Sequence, residues 1–405
     1  MSCSELCKKE SLQWPRGRRI LIHRMGQLGD TIVALPALWA VRKHFSGAHV
    51  ALLTNSCGDR DGVTAAQVLP PGLVDGYISY EARLGGSALL TILRILPRLR
   101  RLRFDTLVYL PPAQRSWRQV RRDLVFFRLA GITSIIGDQD GLPVAESARG
   151  TPLPYVDHEA DRLLKRLARC GIPVPPPGQG CMDLRLTPQE VGSAQDWLAS
   201  RRGSVAGELL VAIAPGSRAP SKVWPAERYV ALGRVLIEEL SALPIVFGGR
   251  EDQLLGDLLI RAWGRGANAA GELTVRQTAA ALANCCLYVG NDTGTMHLAA
   301  AVGTPCVAVF SAQDLPGRWH PYGTGHYVLR SVVPCEGCHL RECVKFDLRC
   351  LKQIEVSEVA SICRAALSEN RRPSLTAPMS TTAPGCGDAG TTNLSQQPSP
   401  LQRDN

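Results

Sequence analysis

The sequence predicts an α/β protein in which two parallel sheets, each covered by helices, follow one another along the chain. Three observations predict this fold. Short apolar runs of strand length alternate with segments of helical periodicity, the alternation stops at a proline-rich stretch, and it then begins again. With 405 residues, 45% of them hydrophobic, the chain is long enough for two domains and a large core.

The first unit begins with an apolar strand, Arg19–His23, and a glycine-containing loop, Met25–Asp30. The apolar residues of Thr31–His44 recur at helical spacing, which predicts one helix. Further strand-length runs follow with helical or loop segments between them, as expected for a parallel sheet. These predicted strands are His49–Thr54, Gly76–Tyr80 and Thr106–Leu110.

A proline-rich stretch, Ile172–Gly178, separates the two units, because proline disrupts both helices and central strands. We therefore expect an N-terminal domain of residues 17–190 and a C-terminal domain of residues 205–371. From Arg372 on, Ser, Thr, Pro, Gly and Gln dominate and the apolar periodicity is lost. Residues 372–405 are predicted to be a disordered tail.

The second unit repeats the alternation of strands and helices. Because ligands of open α/β sheets bind at the carboxyl ends of the strands, two such units in tandem predict an active site in a cleft between two sheet edges. The predicted strands are Leu209–Ala214, Leu243–Gly249, Cys286–Gly290 and Pro305–Phe310, and the predicted helices are Ala226–Leu240, Thr274–Asn284 and Thr295–Val302.

The charge is unevenly distributed. The net charge is +10, and between Arg83 and Arg128 eleven arginines stand against two acids. Such a region attracts the phosphates of nucleic acids, anionic lipids or a phosphorylated glycolipid. Within it, Arg94–Phe104 interleaves Leu with Arg, which fits either a helix on a membrane surface or a solvated helix face. Nucleic acid is disfavoured, because no recognised binding module accompanies the charge.

The composition favours a cytoplasmic protein. No segment of 18 apolar residues is free of charge, so no membrane span is predicted. Residues 1–19 mix Lys, Glu and Arg without the apolar core of a secretion signal. Fourteen cysteines in a cytoplasmic chain argue against a disulfide framework.

Three loops carry candidate chemistry, and the first is Gly26–Asp30. Its glycines allow a tight turn after the first strand, and Asp30 begins a helix. The spacing is not that of a dinucleotide-binding Gly-x-Gly-x-x-Gly loop, and the second strand ends at Thr54 and Asn55 rather than at an acid, which excludes a dehydrogenase. Asp30 is either a helix cap or a general base facing the cleft.

The second and third loops suit phosphate. After the strand Leu209–Ala214, Ser217, Arg218 and Lys222 offer hydroxyl and cationic groups for a diphosphate. The third loop, Asp292–His297, joins a buried strand to a small-residue helix whose free backbone N–H groups can hold a phosphate. The alternative for the third loop is an ordinary turn with Asp292 or Thr293 as helix cap.

Four cysteines cluster after these loops, as Cys335-x2-Cys338-x4-Cys343-x6-Cys350. Four thiolates can hold zinc, but these spacings differ from the paired Cys-x2-Cys arrangement of a zinc ribbon. Buried or redox-active thiols are the alternative. We expect catalysis to need no metal at this cluster.

Taken together, the loops resemble glycosyltransferase family 9, the heptosyltransferase family. The resemblance runs from about Arg19 to about Leu367 and rests on four motifs whose joint order is specific, although each is weak alone. The motifs are Met25-Gly26-Gln27-Leu28-Gly29-Asp30 with Leu35-Pro36-Ala37-Leu38; Pro215-Gly216-Ser217 followed by Lys222-x-Trp224-Pro225; Gly248-Gly249-Arg250-Glu251-Asp252; and Asn291-Asp292-Thr293-Gly294-x-x-His297-Leu298-Ala299-Ala300.

The resemblance implies a GT-B architecture of two facing Rossmann-like domains and transfer of a sugar from a nucleoside diphosphate donor, with inversion and without a cofactor or catalytic metal. Asp30 matches the family's general base, which takes the proton of the acceptor hydroxyl. Lys222 and Ser217 match diphosphate contacts that stabilise the leaving group.

The remaining matches concern the donor. Asp292 matches a residue that holds the donor sugar, and the three residues after it bring backbone N–H groups to the phosphates. Either Glu251 or Asp252 would lie near the ribose, and His297 either reaches the pocket or packs in the core. The backbone donors of the third loop are Thr293, Gly294 and Thr295.

We therefore expect a glycosyltransferase that moves a sugar, heptose from ADP-heptose being favoured, to a lipopolysaccharide-type acceptor at the cytoplasmic face of the inner membrane. The arginine-rich segment would contact the acceptor's phosphates or the bilayer. The insert Arg218–Pro220 departs from the family's hydroxyl-rich phosphate loop and leaves the nucleotide open. The alternatives are a sugar-nucleotide epimerase of GT-B architecture and a non-catalytic nucleotide-sugar-binding protein.

Overall fold

The computed structural model describes residues 19–56, 62–81, 88–113, 115–138, 153–201 and 209–369. Its strands form two sheets, one of five strands and one of six. The strands are β1 (Arg19–His23), β2 (His49–Ser56), β3 (Gly76–Glu81), β4 (Thr106–Tyr109), β5 (Ser134–Ile136), β6 (Leu209–Ala214), β7 (Ala242–Val246), β8 (Ala267–Asn268), β9 (Leu287–Asn291), β10 (Cys306–Phe310) and β11 (Tyr327–Arg330).

Helices connect the strands of both sheets. Two short 3-10 turns, Pro220–Lys222 and Arg250–Asp252, lie in loops of the second half. The α-helices are α1 (Leu28–Val33), α2 (Leu35–His44), α3 (Ala65–Val68), α4 (Ala88–Leu102), α5 (Trp117–Leu129), α6 (Glu159–Ala168), α7 (Pro188–Arg201), α8 (Ala226–Glu238), α9 (Gln253–Trp263), α10 (Val275–Leu282), α11 (Gly294–Ala301), α12 (Arg349–Lys352) and α13 (Val356–Glu369).

Both sheets are parallel, which confirms the predicted fold class. The first has the order β3-β2-β1-β4-β5 and the second β11-β10-β9-β6-β7-β8. In the first sheet Ile20 of β1 pairs with Val50 and with Thr106 on either side. The strand order reverses beside β1 and beside β6, and ligand sites of open α/β sheets form at such switch points.

The single helix predicted for Thr31–His44 is wrong. The chain forms α1 and α2 with Ala34 between them. Pro36, in the first turn of α2, has no N–H for the carbonyl of Ile32, and its ring clashes with a continuous helix, so the helix must restart. The break sets the direction of α1 independently of α2.

The predicted domains each contain one sheet, and the predicted tail, residues 372–405, lies outside the described residues. The proline-rich stretch forms neither helix nor strand, as predicted. The predicted strand Leu243–Gly249 is shorter than expected, since β7 ends at Val246 and leaves both glycines in the loop that follows.

The alternation of side chains along β1 divides the core of the first sheet. Leu21 packs on one face in a cluster with residues of α4 and α5, including Leu99 and Phe127. Ile20 and Ile22 point to the other face, in a cluster that also contains buried residues of the second sheet. Helices α4 and α5 therefore cover the face of the first sheet that is turned away from this shared core. Among the helices of the described ranges, none is long and apolar enough to cross a membrane.

Candidate active site

A cleft of about 1340 Å³ is lined by the loops that follow β1, β6, β7 and β9. Small-ligand pockets usually measure about 300–1,000 Å³, so this cleft has room for more than one small molecule. Every residue that the sequence analysis assigned to catalysis or donor binding lines it. These residues are Asp30, Ser217, Arg218, Lys222, Glu251, Asp252, Asp292, Thr293, Gly294, Thr295 and His297.

Asp30 lies in the first turn of α1, directly after the β1 loop. Its Oδ2 accepts a hydrogen bond of 3.0 Å from the backbone N–H of Gln27, so Asp30 does cap the helix. Its side chain remains 27% exposed and lines the cleft. The capping bond uses Oδ2 alone, so the carboxylate caps the helix and is still partly exposed to the cleft.

Arg24 holds Asp30 from beneath. Its buried guanidinium donates to the backbone carbonyl of Asp30 at 3.3 Å and lies 3.5 Å from Oδ1 of the same residue. On its other side it pairs with Glu159 at 3.2 Å, and Glu159 also binds Arg162 at 2.6 Å.

The two arginines determine the charge of Glu159. Burial alone would raise the pKa of this carboxyl, but the two guanidinium groups outweigh burial and lower it. Sequence reasoning missed Arg24 and Glu159. Arg24 stands in the loop before Asp30, which was a usable signal, whereas Glu159 lies 129 residues after Asp30 and gave none.

Lys222 and Asp292 form the charged centre of the second sheet's half of the cleft. The ammonium nitrogen lies 2.5 Å from Oδ2 of Asp292, and both side chains are largely buried. Burial works to lower the pKa of Lys222, but the charge and hydrogen bond of Asp292 outweigh it and raise the pKa. Lys222 is therefore a protonated ammonium at the floor of the cleft.

Asn291 fixes the loop that carries Lys222. Its Oδ1 accepts hydrogen bonds from the Trp224 backbone at 3.1 Å and the Tyr229 hydroxyl at 2.9 Å, and its Nδ2 donates to the Pro215 carbonyl at 2.7 Å. The side chain is fully buried at the end of β9. The family motif contains Asn291, but its role in joining two loops required the structure.

The remaining acids follow β7. The carboxylate of Asp252 lies so close to Gly216 that any side chain there would overlap it. Burial raises the pKa of Asp252, whose Oδ2 accepts from the Gly249 N–H at 3.0 Å. Glu251 lies 3.8 Å from Arg218, and both are partly exposed.

The loop around Ser217 is compact. Ser217 Oγ accepts a hydrogen bond of 3.3 Å from the N–H of Ala219, which turns the chain into the 3-10 segment that carries Lys222. Ser217 lines the cleft as well.

The start of α11 contacts α1 directly. A Cβ on Gly294 would lie 2.8 Å from the side chain of Leu28, so glycine allows the two helix starts to approach. Thr293 occupies the cap position, but its side chain forms no capping bond with the described backbone, and Asp292 binds Lys222 instead. Thr293 is therefore the helix cap, as the alternative proposed, but it caps the helix without a side-chain hydrogen bond.

His297 both packs in the core and lines the cleft. Its ring is almost fully buried, and a Cβ on Gly29 would lie 3.0 Å from it. Burial, together with the charge of Lys222 and of His158, lowers the pKa of His297 to about 3. The imidazole is therefore neutral near pH 7 and can exchange hydrogen bonds without adding charge.

Further residues of the cleft escaped sequence reasoning. Asp314 follows β10, the strand next to β9, and accepts a bond of 2.8 Å from the indole of Trp319. Asp314 follows a buried strand, as Asp292 does, so the sequence offered the same local signal for both acids. Arg276 of α10 pairs with Glu190 of α7 at 2.6 Å, a contact across 86 residues that no local pattern indicates.

The four clustered cysteines lie around a separate small void together with Ser221, the neighbour of Lys222. All four are free thiols, and burial raises the pKa of Cys335 and Cys350. In the part of the chain that the structure describes, no group of three or more His, Cys, Asp or Glu is gathered to hold a metal ion.

Comparison with known proteins identifies relatives of the second half. Residues 180–347 match the model of Glycosyltransferase family 9 (heptosyltransferase). The chain is 32% identical to Lipopolysaccharide heptosyltransferase 2 of Escherichia coli strain K12 over an alignment that covers 32% of this chain and 41% of that relative. The alignment thus spans less than half the length of this curated relative.

Solved structures resemble the chain over a greater length. A glycosyl transferase family 9 structure from Veillonella parvula DSM 2008 is 20% identical, with a TM-score of 0.65 over 87% of this chain and 98% of that one. The structure of E. coli ADP-heptose lps heptosyltransferase II is 18% identical, with a TM-score of 0.59 over 87% and 99%. These similarities cover both sheets and confirm the predicted GT-B-type fold.

Proposed function

Because residues 180–347 match the model of glycosyltransferase family 9, we propose that the protein is an inverting glycosyltransferase that moves heptose from ADP-heptose to a lipopolysaccharide-type acceptor. One observation carries the proposal. Asp30, from the first sheet, and the Lys222–Asp292 pair, from the second, line the same cleft. A base and a cationic leaving-group site on two sides of one space are what a displacement at a sugar carbon needs.

In the proposed reaction Asp30 is the general base. It takes the proton from an acceptor hydroxyl as that oxygen forms a bond to the anomeric carbon of the donor. The bond from this carbon to the diphosphate oxygen breaks, and its electron pair leaves with the nucleoside diphosphate. Arg24 supports the role, because its buried guanidinium lies 3.5 Å from Oδ1 of Asp30 and helps to fix the orientation of the carboxylate.

Lys222 stabilises the leaving diphosphate. An ammonium has three donors, so Lys222 can keep its bond to Asp292 while it binds a phosphate oxygen. The backbone N–H groups at the start of α11 add partial positive charge at the same place. These groups are the basis for proposing a reaction that needs no metal ion.

The second sheet holds the donor. We assign the sugar to Asp292, the phosphates to Ser217, Arg218 and the start of α11, and the nucleoside to the pocket beside Glu251 and Asp252. A relative of the same fold is an ADP-heptose heptosyltransferase, which supports ADP as the nucleotide. We place the reaction at the cytoplasmic face of the inner membrane, where a lipopolysaccharide-type acceptor is extended.

The test is to incubate the protein with ADP-heptose and with UDP-, GDP- and CMP-sugars, each with and without a truncated lipopolysaccharide acceptor. We expect ADP release that depends on both ADP-heptose and acceptor, a product of inverted anomeric configuration by NMR, and the same rate with a chelator present. A chelator-sensitive rate would contradict the metal-independent step, and release from another nucleotide would contradict the donor assignment.

The same experiment distinguishes the alternatives. An epimerised donor formed without acceptor would indicate a sugar-nucleotide epimerase. Donor binding by calorimetry with no turnover on any acceptor would indicate a nucleotide-sugar-binding protein.

A further inference from the structure

Helices α4 and α5 present a surface whose composition is unusual for a solvated face. They cover the outer face of the first sheet, and Ile95, Leu99, Val120 and Phe127 form their buried side. The Nε of Arg100 in α4 donates to the Leu129 carbonyl of α5 at 2.9 Å, which holds the two helices side by side. We call the exposed side chains from Ile92 to Leu102 and from Trp117 to Leu129 the α4–α5 surface.

Large apolar side chains are concentrated on the α4–α5 surface. Of the eleven exposed large hydrophobic residues in the described ranges, five lie on these two helices. Trp117 is 62% exposed, Leu93 58% and Leu129 56%. Trp117, Val125 and Leu129 are eight and four residues apart, so they lie on one face of α5. Clusters of this kind mark contacts with a partner or a membrane.

Positive charge surrounds these apolar side chains. Exposed arginines of both helices, among them Arg94, Arg98, Arg101 and Arg118, have no described carboxylate partner. The acid within α5, Asp123, is nearly buried and is neutralised by Arg115 and Arg122. The surface is therefore cationic without compensation by its own acid.

We propose that the α4–α5 surface docks on a bilayer that contains anionic lipids. The apolar side chains would enter the interface, and the arginines would contact the headgroup phosphates. Trp117 supports this occupant in particular, because tryptophan favours the membrane interface and Arg121 lies over its ring at 5.4 Å. Positive charge alone would attract any polyanion. Arginines around exposed Trp, Leu and Val side chains favour an anionic lipid surface over nucleic acid.

The location of the surface agrees with this occupant. Helix α5 follows the carboxyl end of β4, and β4 lies next to β1, whose carboxyl end leads to Asp30. Since carboxyl ends of parallel strands share one edge, Trp117 and Asp30 are at the same edge of the first sheet. If the proposed function holds, an acceptor anchored in the same bilayer would approach the cleft from the Asp30 side.

The first test is flotation of the full chain with vesicles. We expect binding to phosphatidylglycerol-phosphatidylethanolamine vesicles, little binding to phosphatidylcholine vesicles, and weakening by salt. The triple variant Arg94→Gln, Arg98→Gln, Arg101→Gln should bind at least about tenfold more weakly. As a control of equal charge change, Arg169, Arg234 and Arg261, exposed elsewhere, are replaced by Gln. An equal loss in the control, or equal binding to both kinds of vesicle, would overturn the proposal.

The second test concerns insertion. Lipids with brominated chains should quench tryptophan fluorescence in the wild type and much less in Trp117→Phe. Leu129→Ser should weaken vesicle binding several-fold, whereas Leu254→Ser, at an 81% exposed leucine of α9, should not. Equal quenching of wild type and Trp117→Phe would overturn the proposal.

Docking and catalysis are separable in this design, because vesicle binding is measured without donor. Leu129→Ser should retain the wild-type rate on a deacylated, water-soluble acceptor. If the wild type binds vesicles but shows no transfer, the proposed function fails and the docking surface stands.

Discussion

At the scale of single residues, Asp30 both caps a helix and lines the cleft, two positions that the sequence analysis treated as alternatives. One oxygen caps α1 through the Gln27 N–H, and the other faces Arg24 and the cleft. Sequence reasoning found Asp30 because it follows a strand and a glycine loop. Arg24, in the same loop, was a local signal that the prediction overlooked, whereas its partner Glu159 is distant in the chain and gave no such signal.

Replacement of Asp30 by Asn tests the base. The amide oxygen can still accept the Gln27 N–H, but the side chain can no longer take a proton. We expect the transfer rate to fall by about 10²–10⁴-fold while donor affinity remains, as measured by single-turnover kinetics and calorimetry. Asp196→Asn, on the exposed side of α7, is the matched control. A wild-type rate in Asp30→Asn would remove Asp30 from the mechanism.

Lys222→Ala tests the leaving-group site. The change removes the cation and leaves the buried Asp292 carboxylate facing the diphosphate, so both effects oppose binding. Loss of a hydrogen bond to a charged group costs about 1.5–3 kcal/mol, which corresponds to roughly ten- to a hundredfold weaker ADP binding in titration calorimetry. An unchanged dissociation constant would exclude the phosphate contact.

Glu159→Ala tests the buried ion pair beneath Asp30. The variant removes the buried carboxylate that both Arg24 and Arg162 bind, and it leaves Arg24 only its longer contact with Asp30. We therefore expect the free energy of unfolding to fall by about 3–5 kcal/mol in urea denaturation. The exposed pair of Asp157 and Lys165 is the control, where Asp157→Ala should cost less than about 1 kcal/mol. Equal losses in the two variants would show that burial does not distinguish these pairs.

At the scale of elements, the cleft depends on how loops are held by strands and helices distant in sequence. Asn291, at the end of β9, joins the β6 loop to the start of α8. Ser221 anchors the same loop from the other side, since its hydroxyl binds Gln313 at 2.7 Å and the Leu340 carbonyl at 2.5 Å. Lys222 lies between these two anchors, so its position depends on the cysteine-rich segment as well as on its own loop.

The contact between α1 and α11 gives a prediction for glycine. Gly294→Ala would bring a Cβ within 2.8 Å of Leu28, so the two helix starts must separate and Asp30 must move relative to Asp292. We expect a loss of about 1–3 kcal/mol in unfolding free energy and a lower kcat.

Gly192→Ala is the matched control for this change. Gly192 lies inside α7, and no described atom lies within 4 Å of a Cβ there. The substitution should be neutral or stabilise the protein by about 0.5–1 kcal/mol. A Gly294→Ala variant that is as stable and active as Gly192→Ala would show that the helix approach is not tight.

At the scale of the whole molecule, buried histidines predict sensitivity to acid. Burial lowers the pKa of His23, His320 and His326 to about 4 and of His297 to about 3, from 6.5. Below pH 6.5 these histidines bind protons in the unfolded chain, but in the folded chain they stay neutral because they are buried. Their contribution to the free energy of unfolding is therefore fully present above pH 6.5. It falls towards pH 4 by about 1.4 kcal/mol per pH unit for each histidine.

The measurement is the urea midpoint at pH 7, 6 and 5. His23→Phe should reduce the slope between pH 6 and 5, because a phenyl ring retains the stacking on Tyr109 and does not titrate. A midpoint independent of pH in the wild type would contradict the burial argument.

The sequence by itself determined the parallel α/β fold, the two sheets and eleven of the residues that line the cleft, and its resemblance to glycosyltransferase family 9 is confirmed. This was possible because strand ends, glycine loops and helix starts are local patterns, and parallel strands bring their carboxyl ends to one edge. The break at Pro36 was also a local signal, and the prediction of one helix overlooked it.

Only the tertiary structure decided which of these residues touch. The pairing of Lys222 with Asp292, the support of Asp30 by Arg24 and Glu159, and the apolar exposure of α5 all depend on segments far apart in the chain. Such contacts follow from how two sheets and their helices pack, and periodicity within one segment carries no information about its distant neighbour.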